Sequence, residues 1–286
     1  MKVLIVVFLG FIINGCTPLE LLNATVSHDG YQKFLNHAYG ESLRQTLDIY
    51  IPEKIKSNGD VVVFFYGGRW QDGSKKDYAF VADAYTSKGI ITVIADYRIY
   101  PGVDWRDFIR DGDKAFQWVF KNINQFGGDP KRIFIMGHSA GAHIAAMVAV
   151  NAVQIDDQGN KKSINHNRPC GLMGLAGPYD FLPISDIDVK QVFASAENLE
   201  NTQPINFVTQ DAPAMLLMHG LADTTVKSGN TIRMATRVKS VNGRVQVKLY
   251  EKVDHVDILI SLSSTFRNYS PALNDSVNFM QSSLCD

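Results

Sequence analysis

Short apolar runs recur along the chain and alternate with stretches whose apolar residues are spaced as on one face of a helix. The runs VVVFFY (61–66), IITVIADY (90–97) and RIFIMG (132–137) have the length and near-continuity of strands buried on both faces of a sheet. Four more segments have the composition of strands: TLDIYIP (46–52), GLMGLAG (171–177), AMLLMHG (214–220) and VQVKLYE (245–251).

Helical patterns lie between these runs, in the segments 77–88, 107–126, 226–238 and 271–282. The segment 107–126 is amphipathic, with Phe108, Ala115 and Val119 at helical spacing. Strands that alternate with helices predict an α/β fold, in which a mainly parallel central sheet carries helices on both faces. The segment 154–169 predicts a surface loop. The segment 179–207 predicts either a cap over a pocket or a plain connection.

The N-terminus has a different pattern. Lys2 precedes an apolar run of eleven residues, VLIVVFLGFII, which is short for a membrane-spanning helix but typical of a secretory signal. Gly15 and Cys16 at its end resemble the lipobox of bacterial lipoproteins, although Asn14 fits that pattern poorly. We therefore predict a signal peptide at 1–15, lipidation at Cys16, a polar tether at 16–36 and a single α/β domain at 37–286. The alternatives are an ordinary cleaved signal or a buried first strand.

The lipobox resemblance implies a lipoprotein of the bacterial cell envelope that faces the periplasm. Thr17 after the cysteine resembles the type retained in the outer membrane. After cleavage Cys170 and Cys285 would remain, and the sequence leaves open whether they form a disulfide bond.

Charge and residue content narrow the partners. The net charge is −1 and no long block of like charge is present, so the sequence predicts no nucleic-acid surface. The seven histidines and three cysteines show no metal-ligand spacing. We predict neither a metal nor a cofactor.

The sequence MGHSAG (136–141) contains a Gly-x-Ser-x-Gly motif between a predicted strand and a predicted helix. The motif alone is weak, but this position is that of a nucleophile elbow, where Ser139 takes a strained backbone conformation above the sheet. The helix that begins at Ala140 would point its free N–H groups at this serine. Ser139 is therefore a candidate nucleophile.

A serine nucleophile needs a base and a carboxylate. Asp223 follows the predicted strand AMLLMHG, and His255 is the one histidine further along the chain. The order Ser139, Asp223, His255 is the order that this architecture requires. Asp211, Asp254 and Asp257 are weaker candidates for the carboxylate. We expect His138, His143 and His219 to serve packing or the rim of the site.

An acyl-transfer site also needs donors for the oxyanion. Gly67 and Gly68 directly follow the buried run VVVFFY, where backbone N–H groups can approach a substrate without interference from a Cβ atom. We assign the oxyanion hole to the segment Gly67, Gly68 and Arg69, with the amide of Ala140 opposite.

With these residues identified, the segment 46–283 resembles the α/β-hydrolases, and in particular the bacterial carboxylesterase branch with an H-G-G-x-W oxyanion motif. That branch includes kynurenine-formamidase-like and prenylcysteine-methylesterase-like enzymes. The matching segments are YGGRWQDGSKKDY, VIADYRIYPG, FGGDPKRIFIMGHSAGAH, MHGLADTTV and DHVDI. Tyr66 departs from the pattern, because the branch usually has a histidine there that braces the oxyanion loop. Trp70 matches it and is expected to pack against the loop.

The resemblance implies a serine carboxylesterase that acts on small to medium esters without a cofactor, through an acyl-enzyme on Ser139. Its partner would be a small-molecule ester, and a lipid anchor would hold it at the membrane. The nearest alternative is an amidase of the arylformamidase type. A third possibility is a non-catalytic binding protein on the same fold. Such a protein typically lacks one member of the triad, and all three are present here.

Overall fold

The computed structural model describes residues 22–23, 26, 29–56, 58–150, 153–155, 161–163, 167–283 and 285. Its centre is an eight-stranded sheet in the order β1-β2-β4-β3-β5-β8-β9-β10. The strands of this sheet are β1 (Tyr31–Ala38), β2 (Thr46–Pro52), β3 (Val61–Phe65), β4 (Ile91–Ala95), β5 (Ile133–His138), β8 (Gly171–Leu175), β9 (Ala214–Gly220) and β10 (Val245–Tyr250). Two further strands, β6 (Val153–Ile155) and β7 (Lys161–Ser163), form a separate antiparallel pair.

The sheet is mainly parallel, as the sequence predicts. Strands β4, β3, β5, β8, β9 and β10 run parallel, whereas β1 and β2 pair antiparallel at one edge. Every residue of β3, β4, β5, β8 and β9 is buried, which agrees with their nearly continuous apolar sequences. Because the chain crosses from β3 to β4 on one side and reaches β5 on the other, the carboxyl ends of β3 and β5 are neighbours at a topological switch point.

The helices follow the strands in the predicted alternation. They are α1 (Ala79–Thr86), α2 (Trp105–Asn122), α3 (Ala140–Val150), α4 (Ile187–Val192), α5 (Gly229–Ser240), α6 (Asp257–Ile260) and α7 (Ala272–Ser282). Helix α2 begins two residues before the predicted start because Asp104 and Asp107 form a capping box at its N-terminus. Its last predicted turn, Ile123–Phe126, is a 3-10 helix that ends at Gly127 with φ 83°.

Strand β1 lies partly within the segment predicted as a tether, since the sequence predicts a tether through Asn36 and the strand begins at Tyr31. Its side chains are mostly exposed because it is the edge strand, so its sequence lacks the alternation that indicates a strand. Asn36 takes φ 59° where the register between β1 and β2 shifts, and its backbone N–H donates to Asp48 Oδ1 at 2.7 Å. The predicted signal peptide, Cys16 and the tether residues 17–21, 24–25 and 27–28 lie outside the described residues.

A disulfide bond links Cys170 to Cys285, whose Cα atoms are 4.9 Å apart. It closes the pairing that the sequence left open, and it ties the C-terminus to the start of β8. Arg132 supports the same junction, because its guanidinium donates to the carbonyls of Met280 at 2.7 Å and Ser283 at 3.0 Å.

Within the described ranges, no helix combines the length and apolar character needed to cross a membrane.

Candidate active site

Ser139 lies on a sharp turn between β5 and α3, with φ 53°. This left-handed conformation is uncommon for a residue other than glycine. The two flanking glycines permit the turn: a Cβ atom on Gly137 would lie 2.2 Å from the Gly141 carbonyl oxygen, and one on Gly141 would lie 2.1 Å from the Phe65 carbonyl oxygen. The serine is partly exposed and lines a cavity. The structure therefore has the predicted nucleophile elbow.

Asp223 and His255 meet beyond the ends of β9 and β10. His255 Nδ1 donates to Asp223 Oδ2 at 2.7 Å, which leaves Nε2 of that ring free to accept a proton. Asp223 Oδ1 accepts hydrogen bonds from the amides of Thr225 and Val226, at 2.8 and 2.9 Å. The structure thus joins the predicted acid and base, and none of the alternative acids occupies the place of Asp223.

His219 is a second histidine next to Asp223, although its place in the sequence predicts only a role in packing or at the rim of the site. It lies on β9 four residues before Asp223, and its Nε2 donates to the Val226 carbonyl at 2.8 Å and lies 3.2 Å from Asp223 Oδ2. Its Nδ1 accepts a hydrogen bond from Thr231 at 2.8 Å. Burial would raise the pKa of the Asp223 carboxyl, but the hydrogen bonds from His219 and His255 hold this pKa well below its usual range.

His138 connects the elbow to the catalytic histidine candidate. It directly precedes Ser139, and its Nε2 donates to the His255 carbonyl at 2.8 Å, with the two rings 4.7 Å apart. Burial and the nearby His255 lower the pKa of His138 to about 3, so its ring is neutral at physiological pH. Among the described residues no hydrogen bond joins the Ser139 hydroxyl to His255. Such bonds are often long in free enzymes.

The loop after β3 contains the predicted oxyanion donors. Gly68, Arg69 and Trp70 all have positive φ, at 126°, 55° and 60°. A Cβ atom on Gly67 would lie 3.1 Å from the Ser139 Cβ, so this loop passes directly beside the elbow. Arg69 and Ala140 line the cavity on either side of Ser139. The predicted oxyanion loop therefore lies next to Ser139 and lines the same cavity.

Tyr66, which replaces the usual histidine, supports this loop from below. Its hydroxyl donates to Asp96 Oδ1 at 2.7 Å and accepts from Arg44 Nη2 at 2.9 Å. Arg44 Nη2 also donates to the Gly73 carbonyl at 2.7 Å, at the far end of the loop. The Tyr66 ring stacks on that of Tyr97 at 4.8 Å, and burial raises the pKa of its phenol well above the usual value. Tyrosine thus braces the oxyanion loop through Arg44.

Trp70 anchors the loop on its other side. Its ring contacts His143 at 5.1 Å and Phe193 at 4.9 Å, both edge to face. His143 belongs to α3 and donates through Nε2 to the Thr202 carbonyl at 2.8 Å, while Phe193 follows α4. The cluster therefore packs the oxyanion loop, the elbow helix and the segment 179–207 together, as expected for Trp70.

The segment 179–207 forms one wall of a cavity of about 400 Å³ that opens at Ser139. Because it lines the cavity, the segment corresponds to the predicted cap rather than to a plain connection. Seven cap residues line the cavity: Asp180, Phe181, Leu182, Ile184, Ser185, Asp186 and Val189. Arg69, which also lines the cavity, binds Asp186 at 2.6 Å. Asp186 caps α4 by accepting hydrogen bonds from the amides of Asp188 and Val189. The hydrogen bond and charge of Arg69 lower the pKa of Asp186 to about 2.

Within the part of the chain that the structure describes, no group of three or more histidine, cysteine, aspartate or glutamate side chains is arranged to hold a metal ion.

A parallel sheet with a strained serine between strand and helix, and an Asp–His pair beyond the later strands, defines an α/β-hydrolase. Within that class the chain belongs to the BD-FAE family, whose model matches residues 47–238.

Relatives in sequence and structure agree with the class. A probable isoprenylcysteine alpha-carbonyl methylesterase of Arabidopsis thaliana is 28% identical over 273 residues, which cover 87% of this chain and 57% of that protein. The kynurenine formamidase of Danio rerio is 29% identical over 181 residues, which cover 63% of this chain and 58% of that protein. The chain thus spans a little more than half the length of these two relatives.

A truncated carbohydrate esterase from gut microbiota has the same fold, with a TM-score of 0.76 at 20% identity over 90% of this chain and 98% of that chain. The predicted fold and the kinship with formamidase-like and methylesterase-like enzymes are confirmed.

Proposed function

We propose that the protein is a serine carboxylesterase that hydrolyses small to medium esters, with Ser139 as nucleophile, His255 as base and Asp223 as its carboxylate. The observation that carries the proposal is the Asp223–His255 hydrogen bond of 2.7 Å, linked through the His138–His255 hydrogen bond to the turn that holds Ser139 at φ 53°. Esterases among the relatives support the reaction class.

The first half-reaction forms an ester bond between Ser139 Oγ and the acyl carbon. His255 Nε2 takes the serine proton as Oγ attacks, and the carbonyl π electrons move to the oxygen. The amides around Gly68 and Arg69 and that of Ala140 bind the oxyanion, and each such donor typically contributes about 10²–10³ in rate. The intermediate then expels the alcohol, which leaves with the proton from His255.

The second half-reaction returns the free enzyme. His255 Nε2 takes a proton from water as the water oxygen attacks the acyl carbon, and the second tetrahedral intermediate expels Ser139 Oγ, which regains the proton. Asp223 keeps its charge and stabilises the imidazolium in both steps. Its depressed pKa suits this role, because the carboxylate remains ionised.

A fluorophosphonate probe tests the assignment, since it reacts with an activated serine. Wild-type protein should be labelled at neutral pH and should hydrolyse an aryl acetate, and Ser139→Ala should lose both activities. Ser185→Ala is a matched control on the cavity wall and should retain them. Absence of labelling in the wild type would contradict the proposal and favour a binding protein.

An arylformamidase is the second candidate, favoured by the similarity to a kynurenine formamidase. The same triad cleaves an activated amide. Parallel kcat/KM measurements on an aryl formamide and an aryl acetate separate the two candidates, and a higher value for the formamide would overturn the ester assignment.

We also propose, from the sequence alone, that the enzyme is a periplasm-facing lipoprotein anchored at Cys16, in the outer membrane. Cys16→Ser should move the protein from the membrane fraction to the soluble fraction and abolish incorporation of a labelled fatty acid. Labelling that persists in this variant would contradict the anchor.

A further inference from the structure

Two cavities meet at Ile184 in the cap. The first is the cavity of about 400 Å³ that contains Ser139. The second has a volume of about 350 Å³ and is also lined by this residue. Ile184 lines both cavities and is itself only 8% exposed. It is the one residue that the two linings share, which makes its side chain the candidate partition between them.

The second cavity has the chemistry of an apolar subsite. Six residues line it besides Ile184: Pro183, Lys190, Phe193, Ala194, Ala196 and Leu199. Lys190 is the one charged residue among them. In the catalytic cavity, Leu182 and Val189 add apolar side chains to the lining. An alkyl chain that passed Ile184 would thus meet mainly apolar side chains in the second cavity.

The backbone around the partition is fixed. Two residues beyond Ile184, Asp186 caps α4 and binds Arg69 of the oxyanion loop. On the far side, Phe193 contacts Trp70 and Phe181 in the aromatic cluster. Because both ends of this stretch are held, loss of the Ile184 side chain should open a passage rather than move the cap.

We propose that Ile184 is a specificity-determining residue, which closes the catalytic cavity against the second, apolar cavity and so limits the length of the alkyl group that the enzyme accepts. This inference rests on the proposed esterase function. A cavity of 400 Å³ is near the lower end of the range of about 300–1,000 Å³ for small-molecule sites, so the partition favours short groups. The second cavity would take the outer part of a longer alkyl chain once the partition is removed.

Ile184→Ala tests the partition with two ester series. One series varies the acyl group from acetate to decanoate on a fixed aryl alcohol, and the other varies an alkyl alcohol on a fixed acetyl group. In one of the two series, the ratio of kcat/KM for the octyl-length ester to that for the shortest ester should rise at least about tenfold. The series that responds identifies the substrate group that faces the cap.

A second substitution fills the new space from outside. Ala196→Phe places a ring in the second cavity without touching the catalytic one. It should leave the wild-type chain-length profile unchanged, but in the Ile184→Ala background it should return the profile to that of the wild type. Ile187→Ala, an exposed change on the same cap, is the control and should alter neither series.

The outcomes separate this inference from the proposed function. If wild-type protein hydrolyses none of the esters, the esterase proposal fails. If wild-type protein is active and Ile184→Ala keeps its activity on acetate but changes neither ratio, the partition is refuted. If Ile184→Ala does not fold, Ile184→Val and Ile184→Phe should shift the ratio in opposite directions, and equal ratios would refute the partition as well.

Discussion

Two carboxylates in this molecule have similar local bonding and very different surroundings. Asp223 and Asp186 each accept hydrogen bonds from two backbone amides of the turn that follows. Each carboxylate also binds a nitrogen of a side chain, from His255 at Asp223 and from Arg69 at Asp186. Both have a pKa below the usual range. Asp223, however, has a fully buried side chain, whereas the Asp186 side chain is 46% exposed.

The two carboxylates differ in whether water can take the place of a lost side-chain partner. If Asp186 loses its arginine, solvent hydrates the carboxylate, so the ion pair contributes little. If Asp223 loses a histidine, the buried charge has no substitute partner and the imidazole loses its orientation. The same local pattern therefore holds a buried charge at one turn, where we propose a catalytic role, and forms a weak exposed ion pair at the other.

The largest expected effect comes from Asp223→Asn. The amide keeps the size of the side chain but does not stabilise an imidazolium and permits the wrong His255 tautomer, so kcat should fall by about 10⁴. Steady-state kinetics on an aryl acetate measure this, with the folded state checked by near-UV circular dichroism. Asp186→Asn is the matched control in the exposed turn. A loss below tenfold in Asp223→Asn would remove Asp223 from the triad.

His219 should have the second-largest effect, because it shares Asp223 Oδ2 with His255. His219→Leu removes a hydrogen bond to a buried charge, which is worth about 1.5–3 kcal/mol, so kcat should fall about tenfold to hundredfold. His219→Gln retains a donor near the Nε2 position and should recover most of the loss. Equal kcat values in the two variants would show that His219 acts only through packing.

The sequence predicts this site unevenly. The buried strands are legible because both of their faces are covered, so apolar runs mark β3, β4 and β5 and fix the positions of Gly67 and Ser139 beyond them. Asp223 and His255 follow from chain order once the elbow is assigned. Strand β1 is not legible, since an edge strand with exposed side chains has no alternating pattern.

The supporting contacts depend on tertiary geometry that no local pattern encodes. His138 binds the His255 carbonyl, 117 positions away in the sequence, and nothing in MGHSAG indicates that partner. The one available signal was the spacing of His219 and Asp223, four residues apart at the end of a strand. Tyr66 likewise reaches Asp96 and Arg44 from distant segments. Burial makes these pairings obligatory, but only the fold selects them.

A smaller effect concerns stability in acid. Burial lowers the pKa of His138 to about 3 and that of His143 to about 4, both from 6.5. The unfolded chain therefore binds more protons than the folded protein between pH 4 and pH 6.5. As the pH is lowered through this range, the free energy of unfolding should decrease by up to about 1.4 kcal/mol per pH unit for each histidine. Urea unfolding at several pH values measures the slope.

The matched variants for that slope are His138→Gln and His143→Gln, which keep a donor near Nε2 but do not titrate. Each should flatten the dependence below pH 6.5. Asp223 contributes in the same direction only below about pH 4, where its carboxyl begins to protonate in the unfolded chain. A slope that both variants leave unchanged would mean that neither ring is buried in neutral form.

The smallest effect should come from the exposed strap between Arg69 and Asp186. Asp186→Asn removes the charge but keeps a good helix cap for α4, so kcat/KM should change by no more than about fivefold. Because both partners are 46% exposed, added salt should bring the wild-type value towards that of the variant. Kinetics at low and high ionic strength measure both effects. A loss in Asp186→Asn as large as that in Asp223→Asn would mean that closure of the cap by Arg69 is required for catalysis, and burial would then not be what separates the two carboxylates.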